Sequence, residues 1–553
     1  MHNQRDPKRL LIGTSLVWML VLFVAAPRLT AEHRQNLLGG PRGIVRSTTG
    51  MPFEGVMVQL VSEKNSIRTT VYSNEDGRYE FPILEPGFYT LRVAKPLEFK
   101  SYQRSSIKIE GAVHLDDIVL SRVTESEFLP PSSEILPQLT DAEWLWNLPG
   151  TAQEKKIFSY TCSNCHNLQW AFRVRYDERS WRLIVDRMLH YRTRLLRERL
   201  PFPPGKGDGP LQSEENFEMI VKWLAKVRGP EAKDPPLEVF QGPRGPATRV
   251  IVTEYELPTV DERPQDVIGD SKGYIWYSAN RRPAIGRLDP RTGFIKQYRT
   301  PREPGKAAGT QRLIVNNKGI IWYTDAWAEN LYRFNPQKEE FRKLPGGWAG
   351  SLIMGADGFL WEARGGEVLK IDPETGLSVK RYPIKTAHTV PAVGSEVSAD
   401  GRFFAGGVPF QRGFDGVVLL DITSGEVAGL STPSGAAHPS AGAFDQQDNA
   451  WFGGKGGVLL KLDTKTRRLS EYVPPTPFVS MSDATPDKNG DIWTPLMGGG
   501  RIGRFNPRTQ QWIEYVLPEP YSMGRTWVDN TTDPVTVWFG DYNGYIVRLQ
   551  PLE

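Results

Sequence analysis

Apolar and polar residues alternate with three different periods along this chain of 553 residues. From residue 38 to residue 122, apolar residues stand at every second position in short runs, which turn residues such as Asp76-Gly77 and Pro86-Gly87 separate. A period of two is typical of strands with one buried face. About seven such strands in about 85 residues predict a small β-sandwich.

Between residues 140 and 230 the period becomes that of a helix. Phe217, Ile220, Val221 and Leu224 repeat at i, i+3, i+4 and i+7, which places them on one helical face. The pattern predicts helices over residues 152–159, 178–196 and 214–227.

A longer unit repeats from residue 249 to residue 553. Each unit contains a turn, a strand with a central aromatic residue, a strand that ends in Asp-Pro or Asn-Pro, and a closing strand. Such a repeat predicts a seven-bladed β-propeller, in which the isolated strand at 250–257 completes the last blade. The seven aromatic residues are 39 to 47 positions apart: Trp276, Trp322, Trp361, Phe404, Trp451, Trp493 and Trp538.

The first 31 residues have the pattern of an export signal. Arg5, Lys8 and Arg9 precede an apolar run over residues 10–26, which is the order found in a signal peptide. About 17 apolar residues are also close to the minimum that crosses a bilayer. Residues 1–31 are therefore either a signal peptide or a membrane anchor, and the protein is expected to be periplasmic or otherwise extracytoplasmic, in the second case anchored to the inner membrane.

Composition and charge narrow the class further. The 53 glycines, 44 prolines and 16 tryptophans favour a turn-rich β protein. The net charge is only +4, from 68 basic and 64 acidic residues. This balance gives no basic surplus, so no nucleic-acid partner is predicted.

Cys162 and Cys165 are the only cysteines in the chain, and His166 follows the second one directly. Two thiols at this spacing can each add to a vinyl group of one haem, while the adjacent imidazole reaches the iron. A disulfide needs no following histidine, and a structural zinc site needs four ligands that the sequence does not supply. The motif resembles that of c-type cytochromes, which implies one covalent haem c with His166 as proximal iron ligand.

The sixth iron ligand is expected on the C-terminal side of the motif. Met188 follows Trp181 on the same helical face, and this segment resembles short cytochromes in which a Trp-rich helix ends in an Arg-Met pair. A thioether ligand suits electron transfer. His190 is the alternative ligand and Met219 the weakest candidate, while ordinary core packing of Met188 stays open.

The predicted fold class is thus a mainly β multidomain protein. It has a small β-sandwich at 38–122, an all-α cytochrome c domain at 140–230 and a seven-bladed β-propeller at 249–553. Within the first of these, residues 73–93 (SNEDGRYEFPILEPGFYTLRV) resemble the carboxypeptidase regulatory-like domain. That resemblance implies a carbohydrate-binding-like fold, and a spacer or docking role is the simplest interpretation.

The propeller repeats resemble the streptogramin lyase (virginiamycin B lyase) family, as in YIWYSANRRPAIGRLDPRT and DIWTPLMGGGRIGRFNPRT. The resemblance implies a glutamate three positions after a blade tryptophan and a histidine about fourteen residues before it. Leu496 and Ser482 stand at those positions here, so lyase activity is not expected. The candidate residues that remain, for a metal or for polarising a substrate, are Asp325, His388, His438 and Asp541.

These features predict an exported electron-transfer protein. The haem would exchange electrons with a redox partner protein or a small-molecule donor, as part of an oxidoreductase whose propeller binds the substrate or the partner. The alternatives are a carbon-oxygen lyase that acts from the propeller and a non-catalytic binding scaffold. The donor, the acceptor, the substrate and the oligomeric state do not follow from the sequence.

Overall fold

A computed structural model gives the fold of most of the chain. The described residues are 37–97, 99–123, 138–162, 168–189, 214–234, 238–259, 262–306, 308–325, 330–345, 352–364, 366–384, 393–411, 414–520 and 522–553. All of them belong to one compact unit, Asn36–Glu553. The predicted signal peptide or anchor at 1–31 lies outside them, and no described helix has the length and apolarity to cross a bilayer.

Seven strands form the N-terminal region: β1 (Arg42–Ser47), β2 (Met57–Ser62), β3 (Arg68–Tyr72), β4 (Arg78–Glu80), β5 (Gly87–Val93), β6 (Gln103–Ile109) and β7 (Ile118–Leu120). One sheet has the order β4-β1-β7, and the other contains β3-β2-β5-β6. Residues that alternate along the strands, such as Val58, Leu60 and Leu91, are fully buried between the two sheets. This burial is what the period of two predicts.

Five helices are described: α1 (Asp141–Asn147), α2 (Ala152–Cys162), α3 (Gln169–Arg173), α4 (Glu178–Leu189) and α5 (Glu214–Val227). The predicted stripe on α5 is buried at Ile220, Val221 and Leu224. It packs against large aromatic side chains of the other helices, including Trp144 and Trp181. The residues after 189 in the predicted 178–196 helix lie outside the described part of the chain.

The remaining strands form seven successive sheets, most of them four-stranded. The first two contain β9 (Val267–Gly269), β10 (Ile275–Ser278), β11 (Ala284–Leu288) and β12 (Ile295–Arg299), then β13 (Thr310–Val315), β14 (Ile321–Asp325), β15 (Asn330–Asn335) and β16 (Glu340–Leu344). The third and fourth contain β17 (Ile353–Met354), β18 (Leu360–Arg364), β19 (Glu367–Ile371) and β20 (Ser378–Pro383), then β21 (Val393–Val397), β22 (Phe403–Gln411), β23 (Phe414–Asp421) and β24 (Val427–Ser431).

The fifth sheet contains β25 (Pro439–Phe444), β26 (Ala450–Gly454), β27 (Val458–Asp463) and β28 (Arg468–Tyr472). The sixth contains β29 (Ser480–Met481), β30 (Thr485–Pro486), β31 (Ile492–Met497), β32 (Arg501–Asn506) and β33 (Gln511–Val516). The seventh combines β34 (Met523–Asp529), β35 (Thr536–Asp541) and β36 (Tyr545–Pro551) with β8 (Val250–Glu256) from the start of the repeat region.

The seven sheets form a closed ring of propeller blades. The last and the first blade are adjacent, because the backbone N–H of Arg525 on β34 donates to the carbonyl of Gln265 just before β9 (2.9 Å). Strand β8 pairs antiparallel with β36 over seven residues, which confirms the predicted closing strand. The ring therefore leaves no unpaired edge where its two ends meet.

A repeated aspartate holds each of several blade tryptophans. In the first blade the carboxylate of Asp270 accepts the backbone N–H of Tyr274 (3.1 Å) and, through its other oxygen, the indole N–H of Trp276 (2.8 Å). The same indole contact recurs six residues apart between Asp445 and Trp451 (2.8 Å). One side chain thus fixes both the turn and the aromatic centre of the blade, and no buried indole N–H is left unsatisfied there.

The predicted fold class is wrong in its division into separate domains. The described chain is mainly β, and its described residues form no separate all-α cytochrome c domain. The helices form a layer on the propeller: the backbone N–H of Ala142 in α1 donates to the carbonyl of Gly498 (2.8 Å), and Phe478 of the propeller packs against the helical core. The helices enclose a core of their own, and they also bury part of their surface against the sheets, as Ala142 does among propeller residues.

The N-terminal sandwich is not separate either. Strand β3 pairs with β8 through Arg68↔Glu254, Thr69↔Thr253 and Thr70↔Val252, so one eight-stranded sheet runs from β34 to β6. The closing strand of the ring lies between the last blade and the N-terminal region. Both edges of β8 are therefore paired. The sequence shows β8 only as an isolated strand and does not reveal that the N-terminal sheet continues into the last blade.

Candidate functional site

Helix α2 leads directly into the CxxCH motif and ends at its first cysteine. The helix begins with a reciprocal cap, in which the backbone N–H of Thr151 donates to Glu154 Oε2 (2.6 Å) and the N–H of Glu154 donates to Thr151 Oγ1 (3.2 Å). Cys162 is the last residue of the helix. Cys165 and His166 lie outside the described residues.

The chain after the motif is held by a buried carboxylate. The backbone N–H of Leu168 donates to Asp141 Oδ1 (2.8 Å), and Asp141 is the first residue of α1. Burial raises the pKa of Asp141 to about 7, although the Leu168 hydrogen bond lowers it in part. The two ends of the motif segment are therefore fixed, one by helix α2 and the other by helix α1.

Cys162 contacts an aromatic core. Its side chain packs, half-buried, against the helical cluster, in which the Phe158 ring lies 5.1 Å from that of Trp223 and 5.8 Å from that of Phe172. The indole N–H of Trp223 donates to the carbonyl of Pro149 (2.9 Å). This arrangement fixes the ring and leaves its faces available for apolar contacts.

Met188, the predicted distal ligand, lies on the last turn of α4. Its side chain is 44% exposed, whereas Trp181 and Val185 of the same helix are buried in the core. Core packing therefore does not explain this methionine. His190 lies outside the described residues, and Met219 is half-buried in α5.

The end of α2 also contacts the propeller. The hydroxyl of Ser159 donates to the carbonyl of Phe478 (2.6 Å). The next residue, Tyr160, stacks on His438, with ring centroids 4.1 Å apart and planes inclined by 17°. The helix that carries the first cysteine is thus held against the fifth blade.

His438 is held by a carboxylate of the neighbouring blade. Its Nδ1 lies 3.1 Å from Asp415 Oδ1 on β23, and its backbone N–H donates to the same carboxylate (2.9 Å). Burial acts to raise the pKa of Asp415, but hydrogen bonds from His438 and from the Thr432 hydroxyl hold this pKa below its ordinary value. Desolvation by burial raises the pKa of Tyr160.

The other sequence candidates lie at blade strand ends. Asp325 ends β14 and Asp541 ends β35, and both are buried. Asp541 accepts the backbone N–H groups of Ser522 (2.9 Å) and Asn543 (3.0 Å), and burial raises its pKa well above the ordinary value. His388 lies outside the described residues. Within the described ranges, no three His, Cys, Asp or Glu side chains form a metal-binding group.

A cluster of five charged residues lies at the centre of the ring. The sequence analysis did not identify it. We call it the ring-centre cluster, and its members come from five different blades: Asp266, Arg312, Glu396, Asp483 and Arg525. Arg312 Nη2 lies 3.3 Å from Glu396 Oε1, and Arg525 Nη2 lies 3.6 Å from the same oxygen. Because these contacts join blades that are not neighbours, the cluster lies at the axis of the ring.

Irregular pairing directs the two arginines inwards. The register shifts between Thr310 and Leu313 in β13 and between Met523 and Thr526 in β34. Arg312 and Arg525 lie within these two shifts, at equivalent positions of their blades. A bulge of this kind re-aims a side chain, and bulges are frequent next to functional sites.

The carboxylates of the cluster are desolvated. Desolvation raises the pKa of Glu396, although Arg312 and Arg525 lower it in part. Desolvation also lowers the pKa of Arg312, and the nearby Arg525 adds to that effect. For Arg525, the surrounding carboxylates outweigh desolvation and raise the pKa.

One sequence signal could have found the cluster. Asp266, Arg312 and Asp483 each stand ten positions before a blade tryptophan, in segments that otherwise supply the innermost strands. Charged residues at one repeated position of a buried strand are costly unless they meet one another or a ligand. Glu396 stands eight positions before Phe404 and Arg525 thirteen before Trp538, so this spacing finds only three of the five residues.

The N-terminal region matches a known domain family. Residues 42–121 match the carboxypeptidase regulatory-like domain, which confirms the resemblance that the sequence suggested for this region. None of the curated proteins compared with the chain matches it.

Solved structures of virginiamycin B and streptogramin B lyases resemble about half of the chain. A virginiamycin B lyase from Staphylococcus aureus is 19% identical with a TM-score of 0.46, over 54% of this chain and 99% of that one. A streptogramin B lyase is 22% identical with a TM-score of 0.47, over 55% and 99%. A catalytically inactive S. aureus virginiamycin B lyase with quinupristin is 19% identical with a TM-score of 0.47, over 54% and 99%. These values carry no inference about activity, and the propeller architecture rests on the strand pairing described above.

Proposed function

We propose that this chain is an exported haem c protein that transfers electrons, with the haem bonded to Cys162 and Cys165. The observation that carries the proposal is the CxxCH motif at the end of α2, where Cys162 packs beside an aromatic core. The sequence gives the two thiols and the imidazole at the spacing that haem attachment needs. The N-terminal export pattern agrees with assembly outside the cytoplasm.

Two described side chains and their surroundings support the proposal. Cys162 supplies a thiol, the aromatic residues around Phe158 supply an apolar wall, and Met188 supplies a partly exposed thioether on a neighbouring helix. A bound haem would supply one-electron exchange at its iron. His166 is proposed as its proximal ligand, with Met188, or else His190, as the distal one.

The residues on either side of the motif fix the chain at its two ends. Asp141 fixes the chain after the motif through the Leu168 N–H. Phe158, Phe172 and Trp223 belong to the apolar cluster against which Cys162 packs. A fixed apolar surface lowers the reorganisation that a change of charge requires.

Contact with the propeller gives the haem segment a platform. Ser159 and Tyr160 attach the last turn of α2 to the carbonyl of Phe478 and to the ring of His438. A donor or partner protein that binds on this side of the propeller would lie close to the motif. The proposed partners are therefore a redox protein or a small electron donor in the periplasm.

The test is expression with a c-type haem maturation system, followed by intact mass measurement and absorption spectra. We expect a mass increase of one haem that survives denaturation, and sharp bands on reduction with dithionite. Cys162→Ser together with Cys165→Ser should abolish the increase. A colourless protein with the mass of the polypeptide would refute the proposal.

Variants of the distal candidates separate the ligand assignments. Met188→Ala should change the spectrum and lower the reduction potential, since a thioether ligand raises that potential. Met219→Ala is the matched control and should leave the spectrum unchanged. If His190→Ala changes the spectrum and Met188→Ala does not, the histidine is the ligand.

Incubation with a lactone substrate tests the lyase alternative. Leu496 is buried in the blade core and the Ser482 hydroxyl donates to the carbonyl of Gly524 (2.7 Å), so neither offers an acid or base. The full chain should therefore leave a cyclic depsipeptide lactone intact. Formation of the linear product would establish the lyase in place of the electron-transfer proposal if haem is absent.

A further inference from the structure

One carboxylate oxygen of the ring-centre cluster is buried and accepts no hydrogen bond from the described residues. The side chain of Asp483 is 1% exposed, and within the described part of the chain its Oδ1 accepts no hydrogen bond. The nearest cationic atom is Arg525 Nη2 at 3.7 Å, which is beyond hydrogen-bond distance. Its Oδ2, in contrast, accepts the backbone N–H of Thr526 (3.1 Å). A buried carboxylate oxygen without a donor is costly, so this oxygen marks a place for a ligand.

The charges of the cluster define which ligand fits. Three carboxylates and two guanidiniums sum to −1 when all are ionised. An anion would increase this imbalance. A metal cation would meet the arginines that lie between the carboxylates, and the described residues hold no metal-binding group. A cation with its own N–H donors both neutralises the cluster and satisfies Asp483 Oδ1.

The cluster is also loosely joined and accessible. Its ion pairs have N–O distances from 3.3 to 3.8 Å, longer than the direct charge-assisted bonds of about 2.8 Å that a closed structural network forms. Glu396 and Arg525 keep 24% and 18% of their side-chain surface exposed. Solvent therefore reaches these two members of the cluster.

We propose that the ring-centre cluster binds a small ligand through a protonated primary amine, with Asp483 Oδ1 and Glu396 as its acceptors. Each acceptor lies on a different blade, Glu396 on β21 and Asp483 between β29 and β30. Arg312 and Arg525 position these carboxylates, because both guanidiniums approach Glu396 and Arg525 also approaches Asp483. The site shares no residue with the haem segment, so the outcome of its test does not depend on the proposed electron transfer.

The test uses the purified full chain and ethylammonium chloride as the probe. Calorimetric titration and thermal unfolding are measured against sodium acetate, sodium chloride and glucose at matched ionic strength. We expect saturable binding and a raised unfolding midpoint with ethylammonium alone. No saturable binding of ethylammonium, or binding of glucose or acetate in its place, would overturn the proposal.

Two variants locate the binding to the cluster. Asp483→Asn is isosteric and should weaken ethylammonium binding by about tenfold or more, since a charge-assisted contact is lost. Glu396→Gln, at a more exposed position, provides a second test that does not depend on a fully buried residue and should weaken binding in the same direction.

Asp487→Asn is the matched control. This aspartate belongs to the same blade, but its carboxylate accepts the indole N–H of Trp493 (2.9 Å) and is not part of the cluster. It should bind ethylammonium with the affinity of the native chain even if it unfolds earlier. Equal affinity in Asp483→Asn and Asp487→Asn would refute the assignment.

Discussion

Asp141 gives the sharpest prediction because one side chain combines burial, a single backbone hydrogen bond and a displaced pKa. Its carboxyl is 4% exposed and accepts the N–H of Leu168 at 2.8 Å. Burial raises its pKa from 3.8 to about 7. The folded protein therefore holds this proton more tightly than the unfolded chain does, and the contribution to stability is full below about pH 4 and is lost as the pH rises towards 7.

The size of the effect follows from the two pKa values. The difference between 3.8 and about 7 corresponds to roughly 4 kcal/mol of unfolding free energy at full effect. Asp141→Asn keeps an oxygen for the Leu168 N–H and carries no charge. We expect it to be more stable than the native chain by about 1 to 3 kcal/mol at pH 8, with a gain less than half as large at pH 5.

Urea unfolding of the full chain, followed by tryptophan fluorescence at pH 5 and pH 8, measures this difference. Asp141→Ala is the control, because it removes both the charge and the acceptor. It should lose about 1 to 3 kcal/mol relative to Asp141→Asn at either pH, since the Leu168 N–H is left unsatisfied. An Asn variant that is less stable than the native chain at pH 8, or whose advantage is equal at both pH values, would contradict the reasoning.

Three further changes test the packing around the site and in the blades. Asp445→Ala leaves the buried indole N–H of Trp451 without its acceptor, so a loss of about 1 to 3 kcal/mol is expected in urea unfolding, and no loss would disprove the role of the aspartate. Tyr160→Ala removes the stack on His438 and should increase hydrogen exchange in α2, whereas Tyr160→Phe keeps the stack and should not. Gly286→Ala would place a methyl group 1.8 Å from a ring atom of the buried Tyr277. We expect a loss of about 1 to 3 kcal/mol or more in the unfolding free energy. Unchanged thermal stability would show that the blade accommodates the methyl group.

Much of the ring could be predicted from the sequence because its signals are local. Each blade tryptophan follows a turn within a few residues, and the Asp270 to Trp276 contact spans only six positions. The closing strand was predictable too, since β8 stands alone before the first repeat and the last repeat lacks a strand. Periodicity likewise located α5, whose stripe at Ile220 and Leu224 is buried.

What could not be predicted depends on contacts between distant segments. The helical periodicity of the sequence does not indicate that Ala142 of α1 donates a hydrogen bond to the carbonyl of Gly498, more than 350 positions along the chain. The pairing of β3 with β8 joins strands that are separated by the whole helical layer. The ring-centre cluster brings together Arg312 and Glu396 from different blades, and the bulges that direct such side chains inwards shift the spacing by which repeats are aligned.

The shared strand β8 has a consequence for the order in which the protein assembles. Its final partner β36 ends at Pro551, almost 300 residues later in synthesis, whereas β3 is already complete when β8 emerges. The N-terminal region can therefore hold β8 in an extended conformation, with one edge protected, while the six intervening blades are made. When β36 is made, it pairs with β8, which is already paired with β3, and so closes the ring. A chain truncated just before β36 would keep β8 paired with β3 but leave the other edge of β8 unpaired.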